Sequence, residues 1–177
     1  MDDAEVILVN ERDEEIGVMG KLEVHQKGLR HRAFSIFIFD EKGRMLLQQR
    51  SAKKYHGALL WTNSCCSHPR PSEKIEHAAI RRLEEEMGFT TPLEKIFVFE
   101  YHSPVENNLI ENEIDHVFIG QYSGEISINK NEVAAYTFKS MAELKEQIIQ
   151  KPQIFTTWFK IAFEQVEQWW LNHYKAS

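Results

Sequence analysis

The chain has 177 residues, a length that predicts one domain spanning residues 1–177 with a substantial hydrophobic core. Hydrophobic residues make up 42% and charged residues 27%, a balance typical of globular proteins rather than of disordered chains. The net charge of −6 argues against a nucleic-acid partner, although it is compatible with a local basic pocket for a phosphate ligand.

The N-terminus and the cysteine content predict a reduced, cytoplasmic protein. The opening segment MDDAEVILVN lacks the basic start and apolar core of a signal peptide. No apolar run approaches the roughly 18 residues that a membrane span needs, so we expect no membrane insertion. The two cysteines, Cys65 and Cys66, are adjacent and lack the geometry for an ordinary disulfide. We expect a monomer or a weak homodimer.

Hydrophobic patterning predicts strands first, then one inserted helix, and helices at the end of the chain. The predicted strands cover residues 5–10, 32–40, 44–50, 95–102 and 115–124. The second and third of these form a hairpin, and a loop follows over residues 51–71. Two helical segments lie beyond Met141, on either side of Pro152. This order of elements predicts an α+β fold.

The inserted helix is predicted from about Ser72 to Met87. Ser72 is a candidate N-cap, and Gly88 is expected to end the helix. Apolar residues recur at helical spacing and predict a buried stripe of Ile75, Ala79, Leu83 and Met87.

This helix also carries the pattern of the Nudix box, a loop–helix–loop whose glutamates hold divalent cations against a diphosphate. The matching residues are Glu73, Arg81, Leu83, Glu85, Glu86, Gly88 and Phe89. A solvated helix with salt bridges is the alternative for a run of glutamates, but the flanking Glu73 and Gly88 favour the Nudix pattern. The pattern implies a Nudix-like mixed β-sheet sandwiched by helices, with C-terminal helices.

Two positions depart from the box of Nudix hydrolases. Ser67 stands where the box begins with glycine, and Arg82 stands where hydrolases carry the first glutamate of their catalytic set. Because that glutamate binds metal, the pattern predicts the fold more firmly than it predicts hydrolysis.

Three histidines and two glutamates are candidates for a further metal site. His25, His31 and His68 lie in a predicted turn, strand edge and loop, where their side chains can converge. Glu111 and Glu113 are two residues apart and share one face if their segment is extended. Such a set suits Mn²⁺, Zn²⁺ or Fe²⁺. Because the chain has eight histidines, spacing alone does not select these three.

Taken together, four segments resemble the type I isopentenyl-diphosphate isomerases. They are HRAFS (31–35), WTNSCCSHP (61–69), the altered Nudix box (73–89) and ENE (111–113). That family interconverts isopentenyl and dimethylallyl diphosphate on a Nudix-like domain, and it also carries arginine at the position of Arg82. The resemblance extends from about Val6 to the tryptophans of the C-terminal segment.

The resemblance implies a role for each candidate residue, with an isoprenoid diphosphate as the small-molecule partner. The ligands of a tightly bound Mn²⁺ or Zn²⁺ would be His25, His31, His68, Glu111 and Glu113. The catalytic groups would be Cys66, Glu113 and Tyr101. Glu86 would help hold a Mg²⁺ that enters with the diphosphate. The substrate would be bound by Lys21, Arg50, Lys54, Arg82 and Trp158.

Some assignments stay open at this point. Trp158 is either an active-site residue or part of the core, since FTTWFKIAF is also a good amphipathic helix, whereas Phe159 and Phe163 are expected in the core. Cys65 fills the variable position of the signature and is expected to be buried or without a role. The interval from His25 to His31 is one residue shorter than in other members of the family.

Two other functions compete with isomerisation. One is a Nudix pyrophosphohydrolase acting on a nucleoside or isoprenoid diphosphate. The other is a Nudix-like module without catalysis that binds a ligand or a partner protein. Neither of these explains TNSCCSHP and the ENE pair as well as the isomerase does.

Overall fold

The structure is a computed structural model that describes residues 4–174. Within this range the chain forms nine β-strands and four α-helices. The strands are β1 (Glu5–Val9), β2 (Glu15–Gly20), β3 (His31–Phe39), β4 (Met45–Arg50), β5 (Trp61–Thr62), β6 (Cys65–Ser67), β7 (Glu94–Val105), β8 (Leu109–Gln121) and β9 (Val133–Lys139). The helices are α1 (Lys21–Lys27), α2 (Ile75–Met87), α3 (Met141–Gln150) and α4 (Thr157–Tyr174).

Strand β3 organises a mixed sheet. It pairs in parallel with β8 along its whole length, from His31 opposite Glu113 to Phe39 opposite Gln121. It also pairs antiparallel with β1, β4 and β6. Nearly every residue of β3 is buried, as expected for an almost continuous apolar run in a strand covered on both faces.

Helices cover both faces of this sheet. Alternate residues of β3 point to opposite sides, so Ile36 packs in one cluster with Leu83 of α2, while Phe37 packs in another with Phe159 of α4. A mixed sheet between helices confirms the predicted α+β fold class. That residues 1–177 form one domain stays a prediction, and residues 1–3 and 175–177 lie outside the described range.

The predicted strands are present, but several elements were missed. The hairpin of β3 and β4 is confirmed, although only two residue pairs connect the strands. Strand β4 pairs with β9 along its whole length and, beyond its contact with β3, also with β5. Strands β2 and β9 and helix α1 were not predicted. The prediction of a loop over residues 51–71 was incomplete, because β5 and β6 form within it. Strands β7 and β8 are longer than predicted at the ends where they form their hairpin.

Helix α2 begins later than predicted. Ser72 has a φ of 65°, in the left-handed region, so the prediction that it caps the helix is wrong. The N-cap is Lys74, whose side chain makes no capping hydrogen bond. Ile75 is only partly buried, whereas the rest of the predicted stripe is fully buried: Ala79, Leu83 and Met87.

The two predicted C-terminal helices are confirmed, and a 3₁₀ turn over Pro152–Ile154 separates them. Helix α3 begins with a capping box in which the side chains and backbones of Ser140 and Glu143 bond reciprocally. Trp169 and Trp170 of α4 pack against the core. No helix within residues 4–174 is both long and apolar enough to cross a membrane.

Gly88 ends helix α2 as predicted, and it leads to a prediction about stability. Its φ of 76° is left-handed, and a Cβ there would lie 2.3 Å from the backbone oxygen of Ser127. Gly88→Ala is expected to lower the free energy of unfolding by at least about 1–2 kcal/mol, measured by urea denaturation, because the left-handed conformation alone costs that much. Gly20→Ala is the matched control, since a Cβ at Gly20 meets no atom within 4 Å. Equal losses in the two variants would contradict this account.

Candidate active site

A pocket opens on the face of the sheet that β3, β6, β7 and β8 form together. Its empty space is about 500 Å³, including the open solvent at its mouth. Ten of the predicted site residues line it: Lys21, Arg50, Lys54, Cys66, His68, Arg82, Tyr101, Glu111, Glu113 and Trp158. The remaining three contact residues that line the pocket. His25 and His31 are completely buried and contact Glu111 and Glu113, respectively. Glu86 pairs with Arg82.

The predicted histidines and glutamates converge beside this pocket. His31 and His68 approach the same oxygen of Glu113, with Nε2–Oε1 distances of 3.2 and 2.9 Å. His25 approaches Glu111, with an Nε2–Oε2 distance of 3.3 Å. One ligand atom from each of His25, His31, His68 and Glu113 lies within 4.8 Å of the others. The structure therefore brings together residues that are up to 88 positions apart in the chain.

Two of the imidazoles are held in place by backbone carbonyls. The Nδ1 of His25 lies 2.6 Å from the carbonyl oxygen of Lys21, and the Nδ1 of His31 lies 2.9 Å from that of Leu29. Each ring thus directs Nε2 toward the cluster, the arrangement usual for metal-binding histidines. The prediction of a turn at His25 was wrong, because this residue lies in α1. The left-handed turn at Gly28 nevertheless brings the two rings to a centroid distance of 4.8 Å despite the short interval.

The cluster has the chemistry of a divalent-cation site. The Nε2 atoms of His25 and His31 and the Oε2 atom of Glu111 are buried and have no hydrogen-bond partner among residues 4–174. Unpaired buried polar atoms are costly, and three of them close together are explained if they bind a common ion. Imidazole and carboxylate donors suit Mn²⁺ and Zn²⁺. The residues present therefore fit a divalent metal, whose identity the donor set leaves open.

The acidic row on β8 has a strongly perturbed electrostatic environment. Burial acts to raise the pKa of Glu113, but the neighbouring His31 and the hydrogen bond from Tyr101 outweigh it, and the pKa lies below its usual value. Burial and the neighbouring charge of Glu113 raise the pKa of Asp115 well above its usual value. The pKa values of these two carboxyl groups, two residues apart, are thus shifted in opposite directions.

The two adjacent cysteines face opposite sides of strand β6. Cys65 is completely buried in the core beneath α2, whereas Cys66 lines the pocket. Both are free thiols, and the expectation that Cys65 is buried is confirmed. Burial raises the pKa of the Cys66 thiol to about 12, although the nearby charge of Arg50 acts against the rise.

Tyr101 and Cys66 lie at opposite borders of the same pocket. Its hydroxyl group donates a hydrogen bond of 2.8 Å to Oε2 of Glu113. Strands β3 and β8 separate β7, which carries Tyr101, from β6, which carries Cys66. The pocket is thus bordered by a thiol at one side and by a phenol–carboxylate pair at the other.

The four predicted basic residues all line the pocket and are held by neighbouring groups. Arg50 donates to the carbonyl oxygens of Gly57 and His56, at 3.1 and 3.0 Å. Lys54 pairs with Glu132, and Lys21 lies over the ring of Tyr55. Lys53, in contrast, bonds to Asn131 and is not among the residues that line the pocket.

Arg82 and Glu86 form an ion pair one helical turn apart on α2. Arg82 also pairs with Glu85 at 2.7 Å, so the arginine at the hydrolase-glutamate position pairs with both Glu85 and Glu86. The second oxygen of Glu86 accepts a hydrogen bond of 2.8 Å from Gln48. Its part in binding Mg²⁺ stays a prediction.

Trp158 belongs both to the core and to the pocket. It is 5% exposed and packs within the cluster that contains Phe159 and Phe163, both of which are core residues as expected. It also lines the pocket, where the guanidinium group of Arg50 lies 5.2 Å from its ring centroid. The two alternatives for Trp158 are therefore compatible.

Three further residues line the pocket that were not predicted from the sequence, namely Tyr55, His56 and Asp115. Asp115 continues the alternation of Glu111 and Glu113 along an extended strand, so the period of two could have indicated it. Nothing in the spacing singles out Tyr55 or His56, which lie on a loop whose course depends on tertiary contacts.

The comparisons with known proteins agree with this fold. Residues 29–159 match the NUDIX domain family. The chain is similar in structure to DR0079 from Deinococcus radiodurans, with a TM-score of 0.77 over 91% of this chain and 98% of that one. At 18% identity this likeness concerns the fold alone. The fold and the box on α2 thus define a Nudix-domain protein.

Closer relatives narrow this class. Isopentenyl-diphosphate Delta-isomerase 2 of Photorhabdus laumondii subsp. laumondii is 51% identical, with coverage of 93% of this chain and 96% of the relative. Isopentenyl-diphosphate Delta-isomerase 1 of Aromatoleum aromaticum is 47% identical, with coverage of 92% of both chains. The chain belongs to the isopentenyl-diphosphate Delta-isomerase family, which confirms the resemblance found in its sequence.

The buried cluster predicts that divalent cations stabilise the protein. Zn²⁺ at 100 times its dissociation constant would contribute about 2.7 kcal/mol, which corresponds to a rise in Tm of roughly 5–10 °C for a chain of this size. His31→Gln should lose most of this rise relative to its own metal-free form. His102→Asn is the control, because His102 is exposed beside Tyr101 on the outer face of β7. Scanning fluorimetry measures both, and an undiminished rise in His31→Gln would contradict the assigned cluster.

Proposed function

We propose that this chain interconverts isopentenyl diphosphate and dimethylallyl diphosphate by adding a proton at one carbon and removing a different proton at another. Relatives that are 51% and 47% identical bear the name of this activity. The observation that carries the proposal is that one pocket joins a thiol, a buried histidine–glutamate cluster and four basic side chains. Each group answers one requirement of the reaction.

The diphosphate binds among Lys21, Arg50, Lys54 and Arg82. In a chain of net charge −6, these side chains concentrate positive charge at the pocket, and guanidinium groups pair well with phosphate oxygens. Mg²⁺ accompanies the diphosphate, and Glu86 helps to hold it. Since Glu86 is paired with Arg82 in the free chain, this role requires an exchange of partners when the substrate enters.

His25, His31, His68, Glu111 and Glu113 hold a second divalent cation, Mn²⁺ or Zn²⁺. When bound there, this cation supplies positive charge that offsets the buried carboxylates and polarises Glu113. The residues themselves are already arranged for it, because the backbone carbonyls that contact His25 and His31 fix the direction of their Nε2 atoms.

Two groups move the protons. Glu113, with the Tyr101 hydroxyl bonded to its Oε2, exchanges one proton with the substrate, and the thiol of Cys66 exchanges the other. The proton that one group gives is balanced by the proton that the other takes, so the substrate keeps its formula. Donor and acceptor exchange roles when the reaction runs in reverse.

Trp158 stabilises the charge that develops between the two proton transfers. Protonation of the terminal alkene carbon leaves positive charge on a tertiary carbon, and the face of an indole attracts such a cation by about 2 kcal/mol when water is excluded. The low exposure of Trp158, 5%, is consistent with a site from which water is largely excluded.

Hydrolysis of a diphosphate is the less supported alternative. Arg82 occupies the position of a metal-binding glutamate and is paired with Glu85 and Glu86. A hydrolase would also leave the thiol of Cys66 and the histidine–glutamate cluster without a function.

The cytoplasmic setting and the monomeric or weakly dimeric state stay predictions. The free thiols of Cys65 and Cys66 suit a reducing compartment.

The adjacent cysteines provide a matched test of the proposal. Cys66→Ala is expected to reduce the rate of dimethylallyl diphosphate formation from isopentenyl diphosphate by about 10²–10⁴-fold, because a group that transfers a proton is lost. Cys65→Ala should keep most of the rate, because Cys65 lies in the core on the other side of the strand. Circular dichroism checks that both variants fold. Equal losses in the two variants would show that the thiol of Cys66 has no special part.

A further inference from the structure

His56 lies against the histidine–glutamate cluster, although the family resemblance gives it no role. Its Nε2 is 2.9 Å from Oε1 of Glu111. The two residues are 7% and 2% exposed, so this contact is almost completely buried. A buried imidazole–carboxylate contact of this length is a strong interaction, because little water competes for either partner.

The two oxygens of Glu111 have different surroundings. Oε1 is engaged by His56, whereas Oε2 is buried without a hydrogen-bond partner among residues 4–174 and lies 3.3 Å from the Nε2 of His25. The Nε2 of His25 likewise has no such partner. The unpaired Oε2 of Glu111 and Nε2 of His25 would be available to a cation, whereas Oε1 of Glu111 already faces His56.

The loop that carries His56 is fixed on both sides. The backbone N–H of Gly57 donates to Oε2 of Glu106 at 3.1 Å, and the side-chain amide of Asn107 donates to the carbonyl oxygen of Tyr55 at 2.6 Å. The turn between β7 and β8 thus holds the residues before and after His56. A side chain on a backbone held in this way is preorganised to orient its partner.

We infer that His56 is a positioning residue of the metal centre: its Nε2–H donates to Oε1 of Glu111 and keeps Oε2 directed at the cation. The inference rests on the metal centre of the proposed function and adds a sixth side chain to it. Metal-binding carboxylates commonly depend on such outer hydrogen bonds, whose loss costs about 10–100-fold in metal affinity.

The same contacts connect this outer position to the substrate side of the pocket. Arg50, proposed to bind the diphosphate, donates to the carbonyl oxygen of His56 at 3.0 Å. The ring of Trp158 meets that of His56 edge-on, with centroids 6.1 Å apart. His56 therefore lies between the proposed diphosphate and metal sites.

Direct binding of the cation by His56 is the competing possibility. His25, His56 and Glu111 each offer one ligand atom within 4.8 Å of the others, so a cation between them is geometrically conceivable. The two possibilities predict different results when a side-chain amide replaces the imidazole of His56. The amide nitrogen of glutamine reaches about as far as the Nε2 of histidine and donates a hydrogen bond, but it is a poor substitute for a metal-binding imidazole.

The test compares His56→Gln with His56→Leu and His56→Asn in Zn²⁺ affinity, measured on the full chain by competition with a chromophoric chelator. His56→Leu is expected to weaken Zn²⁺ binding by about 10–100-fold, and His56→Asn by a similar factor because its amide is too short to reach Glu111. His56→Gln should stay close to the wild-type affinity. The Tm of the metal-free protein should change little in His56→Gln, because the glutamine amide keeps the hydrogen bond to Glu111.

Three results would overturn the inference. Unchanged affinity in His56→Leu and His56→Asn would show that His56 does not act on the metal centre. Equal weakening in all three variants would show that only an imidazole serves there, as for a direct ligand. A wild-type chain that binds neither Zn²⁺ nor Mn²⁺ would overturn the metal centre of the proposed function as well, a result distinct from the first two.

Discussion

The parallel register between β3 and β8 is the constraint on which the whole site depends. It sets His31 opposite Glu113 and Ala33 opposite Asp115, while the pairing of β6 sets Cys66 opposite Ser35. A slip of one residue would turn the carboxylates of β8 away from the pocket, because side chains alternate between faces. The apolar clusters under α2 and α4 prevent such a slip, since each face of β3 must meet its own helical layer.

This register creates a buried acidic row that stability alone does not explain. Glu111, Glu113 and Asp115 are each at most 6% exposed. Burying several carboxyl groups together brings little net stability, even when imidazoles compensate them. The free-energy cost of burying these carboxyl groups is explained if they take part in catalysis or metal binding. Buried acids with strongly shifted pKa values in a pocket are typical of such sites. His56 fits this view, because its Nε2 contacts one oxygen of Glu111 at 2.9 Å.

Local rules accounted for some parts of this structure and failed for others. The period of two in a strand predicted that Glu111 and Glu113 share one face, and both line the pocket. The family motif predicted that Cys65 is buried or without a role, and Cys65 is buried. Neither rule could reach His56, because its loop is positioned by contacts with the distant turn between β7 and β8. The prediction that Ser72 caps α2 was wrong for a local reason. The backbone of Ser72 is left-handed, and the helix starts only at Ile75.

The central claim is that one pocket moves two protons between carbons of a diphosphate that stays intact. The most direct measurement follows isopentenyl diphosphate by NMR in D₂O, with the chain, Mg²⁺ and either Mn²⁺ or Zn²⁺. The account predicts that deuterium appears in dimethylallyl diphosphate and that no phosphate is released. Release of phosphate without incorporation of deuterium would contradict it.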